Sequence, residues 1–364
     1  RAADTYASEV GIYDSKINKN YLYLKQNLSE NGDYAESSFV QILQDLSVQF
    51  RFITVNELQE QPNTALRFLF LPSTLALSEN EINALKAFVD KGGILIGDVL
   101  PGIVDEHGIL RAENRFREVF QDFSEVESIE EIVRAATSSN AILLGNRLND
   151  YYKVRREMCG KETRKILSDL LRGFNYAQPV TIETSGTPFD GELTIWNYGA
   201  ALICTVLAAP DGDKDYSKGE LRFSRKFPIY DLMTGKRLPS RSRVRLKLSP
   251  GFGACFSQLP YEVEEVSVIV PEHVLPGSRL YIHCSIKTLS GAPGNHLVRA
   301  ELVPFMGKRI GHYDRVIKCK DGVGETYVPL ALNEQPGVYL VRVTDLLTGL
   351  KTEKRFVIDK VTAN

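Results

Sequence analysis

Three carboxylates and a histidine fall between residues 98 and 107, at Asp98, Asp105, Glu106 and His107, with Gly102 among them. Clustered acids can serve glycoside hydrolysis, which needs two carboxylates facing each other about 5 to 9 Å apart across a sugar-binding cleft. Asp98 alone could instead act as a nucleophile. Asp105 and Glu106 are neighbours in the chain, which speaks against a pair that must face across a substrate.

The elements that position these residues are legible in the 67–106 segment. Phe68-Leu69-Phe70-Leu71 is a continuous apolar run, suited to a strand buried on both faces of a parallel sheet. Ser78 offers a helix N-cap, with Glu81 three residues on completing a capping box. Ile82, Leu85, Phe88 and Val89 then recur along one helical face until Gly92-Gly93. Ile94-Leu95-Ile96 is a second buried strand, so the unit is strand, helix, strand, and the Asp98–Glu106 loop lies beyond a strand's carboxyl end, where such sheets place ligands or catalytic groups. Upstream, Val10-Gly11-Ile12-Tyr13 is expected to be the first strand, 34–46 a helix, and 50–55 a strand, while 18–28 is too rich in Asn, Tyr and Lys to assign. Downstream, Phe116, Val119 and Phe120 point to a short helix, 129–136 to another, 141–144 to a strand and 161–171 to a helix.

This stretch resembles the middle domain of bacterial β-galactosidases that carry a trimerisation domain, in the helix leading to Gly92-Gly93 and in the loop Gly102-Ile103-Val104-Asp105-Glu106. That domain is a relative of the class I glutamine amidotransferases, so the resemblance implies a flavodoxin-like parallel sheet. Those enzymes carry a cysteine after the glycine pair, where this chain has Asp98-Val99. A carboxylate cannot replace a thiolate that must attack an amide and leave again, so the resemblance implies the scaffold and not the amidotransferase chemistry. In the resembling family the catalytic glutamates lie in an upstream TIM barrel of about 250 residues, which this chain does not supply.

From Val180 the texture changes to short alternating strands with frequent turns, including a hairpin signal at Tyr198-Gly199 flanked by 192–197 and 200–208. The "YDLMTGK" and "GACFSQLP" runs are similar to the C-terminal β-sandwich of many glycoside hydrolases. After Pro260-Tyr261-Glu262, seven or so short strands over about a hundred residues have the rhythm of an immunoglobulin-like sandwich. Its Pro336–Val343 run resembles macroglobulin and fibronectin-like modules. The expected architecture is multidomain α/β plus all-β: an amidotransferase-like α/β domain over 1–176, a β-sandwich over 177–260 and an immunoglobulin-like sandwich over 261–364.

Composition narrows the function. A hydrophobic share of 43% with 25% charged residues describes a globular chain, and the net charge of -2 gives no reason to expect nucleic acid or an anionic membrane as partner. No apolar run approaches the roughly 20 residues of a membrane span. The chain opens at Arg1, so we expect a processed or excised piece with its N-terminus missing; the resemblance implies a bacterial secreted or periplasmic setting. The five cysteines have no Cys-x-x-Cys spacing, and Cys204, Cys255, Cys284 and Cys319 sit in strand patterns as small hydrophobes, leaving Cys159 as the one expected to be exposed. The histidines lack metal spacing, and His283 is expected to be half-buried. No nucleotide-binding or serine-hydrolase motif is present, so no cofactor, metal site or catalytic residue is assigned. Tyr151, Tyr152, Lys153, Arg155 and Arg156 could contact an anion or a sugar, but a charge run is more commonly a solvated helix face. Tyr281, Phe305, Tyr313 and Tyr339 are spaced as core residues and give no sugar platform.

Two expectations follow. In the first, the chain is the non-catalytic accessory and assembly region of a glycoside-hydrolase-like protein, its partners being further copies of itself or an upstream catalytic domain, with carbohydrate a further candidate. In the second, the α/β domain itself binds or hydrolyses a small molecule or carbohydrate through Asp98, Asp105 or Glu106.

Overall fold

The computed structural model describes residues 4–5, 8–26, 35–60, 65–126, 128–136, 138–210 and 216–360. Two compact units emerge, one of residues 6–193 with 212–221, the other of 1–5, 194–211 and 222–364. The short strand β1 (Asp4–Thr5) belongs to the second.

The first unit carries β2 (Val10–Tyr13), α1 (Lys16–Gln26), α2 (Ala35–Asp45), β3 (Phe50–Ile53), α3 (Val55–Glu60), β4 (Phe68–Leu71), α4 (Glu79–Asp90) and β5 (Ile94–Gly97). It continues with β6 (Gln121–Asp122), α5 (Ile129–Ala136), β7 (Ala141–Leu143), α6 (Asn146–Asn149), α7 (Tyr151–Val154), α8 (Met158–Gly173) and β8 (Val180–Glu183). Six strands form a parallel sheet in the order β3-β2-β4-β5-β7-β6. Alternation along the apolar runs explains burial on both sides. Phe68 and Phe70 join Phe39, Ile42 and Leu43 of α2 and Ile166 of α8 in one core, whereas Leu69 and Leu71 join Ile82 and Leu85 of α4 in the other. Each fully buried side chain of this size contributes about 1.5–3 kcal/mol, so the sheet is anchored from both faces.

The expected strand, helix, strand unit is present. Ser78 caps α4, with Glu81 N–H donating to Ser78 Oγ and the Glu81 carboxylate accepting from Ser78 N–H. Gly92 adopts φ 88° just past the helix, a conformation glycine reaches without strain. The segment 18–28, left unassigned from sequence, lies largely in α1, with its last two residues outside the described range. Phe116 and Phe120 are buried and stack edge-to-face at 5.9 Å, but 115–119 is a run of turns rather than the expected helix, because both rings point into the core below α4 and fix the loop there.

The second unit is built largely from antiparallel strands. Its strands are β9 (Gly191–Tyr198), β10 (Ala201–Ala208), β11 (Ser217–Phe223), β12 (Ile229–Asp231), β13 (Lys236–Arg237), β14 (Arg243–Leu248) and β15 (Gly253–Gln258), some straddling the boundary. Then come β16 (Val263–Ile269), β17 (His273–Val274), β18 (Arg279–Thr288), β19 (His296–Pro304), β20 (Arg315–Cys319), β21 (Val323–Pro329), β22 (Gly337–Asp345) and β23 (Lys351–Ile358). One sheet runs β1-β9-β10-β15-β12-β13, a second β16-β18-β21, and a third β17-β23-β22-β19-β20 with β17 parallel to β23. The inward residues of the last two sheets share a core that also takes in Ala201, Tyr230, Leu259 and Tyr261. Mixed α/β and β-rich parts are therefore both present. Within that core Tyr313 and Tyr339 are buried as expected.

Three expectations are corrected. β18 alternates strictly, so His283 and Tyr281 share the outer face: His283 is exposed and pairs with Glu325 at 3.1 Å, and Tyr281 is 47% exposed beside Tyr327. Phe305, in the turn after β19, is also exposed, beneath the Arg355 guanidinium.

Candidate functional site

The loops at the carboxyl end of the parallel sheet are knitted together by polar side chains. Asp98, after β5, is buried; Ser73 N–H donates to its Oδ1 at 2.8 Å, Ser73 Oγ to its Oδ2 at 3.0 Å and Val99 N–H to Oδ1 at 3.0 Å. Ser73 has φ 37°, an uncommon value for a residue with a side chain, and the carboxylate fastens that turn. Asn18 holds the same loop from α1, donating to Ser73 O and accepting from Ala76 N–H, both at 3.0 Å. Gly102 N–H donates to Thr74 O at 3.0 Å, with φ 67° at Gly102 letting the chain turn there.

The 102–111 loop is an ordered hairpin. Val104 bridges Ala76 on one side and Leu110 on the other. Asp105 Oδ1 accepts from His107 N–H and Ile109 N–H, each at 2.9 Å, and these bonds to the ionised form hold its carboxyl below the usual carboxylate range. Glu106 lies 3.8 Å from Arg111, which also reaches Glu79 and donates to Leu77 O at 2.7 Å. Arg111 is thus the clasp between hairpin and α4, a role the sequence did not disclose because its partners lie 32 and 34 residues away. The tip is apolar and outward: Ile109 is 63% and Leu110 74% exposed. Of the expected site residues, Asp98 accepts from the backbone of Ser73 and Val99 and from the Ser73 hydroxyl, Asp105 accepts from backbone donors that include His107 N–H, Glu106 faces Arg111, and Gly102 turns the chain.

An open pocket of about 190 Å³ lies at the switch point of the sheet, where the chain leaves β2 toward β3 and leaves β4 toward β5. Its floor is Tyr13 and Ser15, both donating to Glu81 Oε1 at 3.2 and 2.6 Å, while Glu81 Oε2 accepts from Ser78 N–H and Oγ. Four donors thus compensate one buried carboxylate. Burial, with Glu81 alongside, pushes the Tyr13 hydroxyl well above its ordinary pKa, so it stays a donor. Lys19 lies at the mouth, 2.9 Å from Asp14 and 3.2 Å from Glu36. Burial works against its charge, but the hydrogen bonds to both carboxylates outweigh it and raise its pKa.

The 151–156 patch is divided between the interior and the surface. Tyr151 is fully buried and donates to Asp45 at 2.5 Å. Arg155 forks onto both Asp45 oxygens at 2.7 Å and reaches Asp190 at 2.7 Å. A buried acid on α2 drew half the patch inward, while Tyr152 and Arg156 stay exposed. In the second unit His296, fully buried, joins Asp345 through Nδ1 and Tyr261 through Nε2, each at 3.0 Å. Among the cysteines, Cys159 is exposed, Cys204, Cys284 and Cys319 are buried and Cys255 is half-buried. Burial pushes the Cys284 thiol up to about 12 and the Cys319 thiol up to about 11. Among the described residues no group of three or more His, Cys, Asp or Glu is placed to hold a metal ion, and no helix is long and apolar enough to cross a membrane.

No protein-family profile and no curated protein matches the chain. Solved structures similar to it include glycoside hydrolases. The apo exo-carrageenase GH42 from Bacteroides ovatus aligns at 11% identity and a TM-score of 0.42, over 69% of this chain and 29% of that one. A β-glucosidase from Listeria innocua in complex with glucose aligns at 12% identity and a TM-score of 0.22, over 97% and 46%. A Salmonella alpha-2-macroglobulin mutant aligns at 14% identity and a TM-score of 0.23, over 51% and 12%. The chain spans less than a third of the length of the first of these.

Proposed function

We propose that this chain is a non-catalytic accessory region of a glycoside-hydrolase-like protein, and that its α/β unit supports assembly by contacting a second copy through the 102–111 hairpin. The observation that carries this is the outward apolar tip, Ile109 and Leu110, on a loop stiffened by Asp105, Arg111 and the Val104 bridges. Rigid loops ending in exposed large hydrophobics lose water and little entropy on docking. Two of the acids considered for catalysis carry bonds within the fold, which supports this reading: Asp98 accepts from the Ser73 turn and Asp105 from the hairpin turn. Asp98 accepts hydrogen bonds from Ser73 N–H, Ser73 Oγ and Val99 N–H, which lowers the reactivity of its carboxylate as a nucleophile. The resemblance at Gly102–Glu106 supplies the glycoside-hydrolase context.

The test combines light scattering after size exclusion with assays on chromogenic galactosides. The chain should run above its monomer mass, return to it with Leu110→Asp, and show no turnover. Turnover abolished by Asp105→Ala or Glu106→Ala would refute the proposal.

A further inference from the structure

The switch-point pocket has no part in the assembly proposal, and its chemistry is specific enough to name a ligand class. We propose that it binds one neutral, hydroxyl-rich ring, a pyranose unit. Three features converge there. The mouth holds an ammonium between two carboxylates, Lys19 with Asp14 and Glu36, and all three side chains are partly exposed. An anion would meet both carboxylates, and a cation would have to displace Lys19 from them. A polyol meets neither cost, because each hydroxyl can donate to a carboxylate or accept from the ammonium.

The walls are apolar where a ring needs a face. Leu22, Tyr23 and Pro72 line the pocket, and Tyr23 is 67% exposed, leaving its ring open to the C–H face of a sugar. The floor is set in advance: Tyr13 and Ser15 are fixed by Glu81, and Asn18 is fixed by Ser73 and Ala76, so little ordering remains for the binding step. The volume of about 190 Å³ admits one small ring and falls below the roughly 300 Å³ at which drug-sized sites begin, so a dissociation constant of order 1 mM is expected.

Saturation-transfer difference NMR on the full chain tests this, with D-galactose, D-glucose and D-galacturonate as probes. One neutral hexose should give a saturable signal, and the uronate a weaker one. Lys19→Met and Tyr23→Ser should each weaken binding at least about tenfold while circular dichroism shows an unchanged fold. Tyr281→Ser, on the outer face of the second unit, should leave it unaltered. No saturable signal from either neutral hexose, preference for the uronate, indifference to the Lys19 and Tyr23 variants, or loss with Tyr281→Ser would overturn the proposal. Light scattering on the same samples separates this outcome from that of the assembly test.

Discussion

Replacing Asp98 separates a structural carboxylate from a nucleophile. In Asp98→Ala, Ser73 N–H loses its acceptor in a buried position, Ser73 Oγ loses its own, and Val99 N–H, nearer the surface, can turn to water. An orphaned buried donor costs about 1–3 kcal/mol and a bond to a charged acceptor contributes about 1.5–3 kcal/mol. Relaxation of the turn held at an unfavourable φ would return strain of order 1 kcal/mol and offset part of the loss. With that offset, Asp98→Ala should destabilise the α/β unit by about 2–4 kcal/mol. Asp98→Asn keeps an oxygen for the two backbone donors, and the Ser73 hydroxyl can rotate to accept from the new amide, so about 1–2 kcal/mol should be lost with the charge. Urea unfolding followed by far-ultraviolet circular dichroism reads both. Functional carboxylates are often held at a cost to stability, so an Asp98→Ala variant as stable as the parent, or more so, would refute this account of the residue.

Two further predictions concern the first unit. Arg155→Met should cost about 3–5 kcal/mol, because Asp45 would stay buried with its arginine partner gone, and thermal unfolding would register the loss. Burial alone would raise the Asp190 carboxyl, but Arg155 and Arg156 outweigh it and hold it below its ordinary range. Its contribution is therefore complete above the ordinary carboxylate pKa and is lost as pH falls through the depressed one, and Arg155→Met should flatten this acid-range slope in urea titrations. With a thiol reagent under native conditions, Cys159 should react first, the half-buried Cys255 more slowly, and the buried Cys204, Cys284 and Cys319 only on unfolding.

What could be read in the sequence was whatever depends on neighbours in the chain. The capping box at Ser78 and Glu81, the glycine stop after α4, the double-faced runs of β4 and β5 and the alternation of β18 are all local patterns with one physical outcome. Side-chain roles set by distant partners were not legible. Glu81 could be recognised as a cap but not as the acceptor for Tyr13 and Ser15, 68 and 66 residues away. Arg155 read as a surface charge because Asp45, 110 residues upstream, gives no local signal of being buried. Alternation placed Tyr281 on one face of β18 without saying which face meets the core. The switch-point pocket was missed for a related reason: the polar turn after β2 was visible, but the strand order that sets it beside Pro72 exists only in the folded sheet.

The central claim, that this chain assembles rather than catalyses, is met most directly by its molar mass in solution. Light scattering across a concentration series should give a mass above 40.8 kDa that falls to that value with Leu110→Asp. A parent chain that stays at the monomer mass throughout would contradict it.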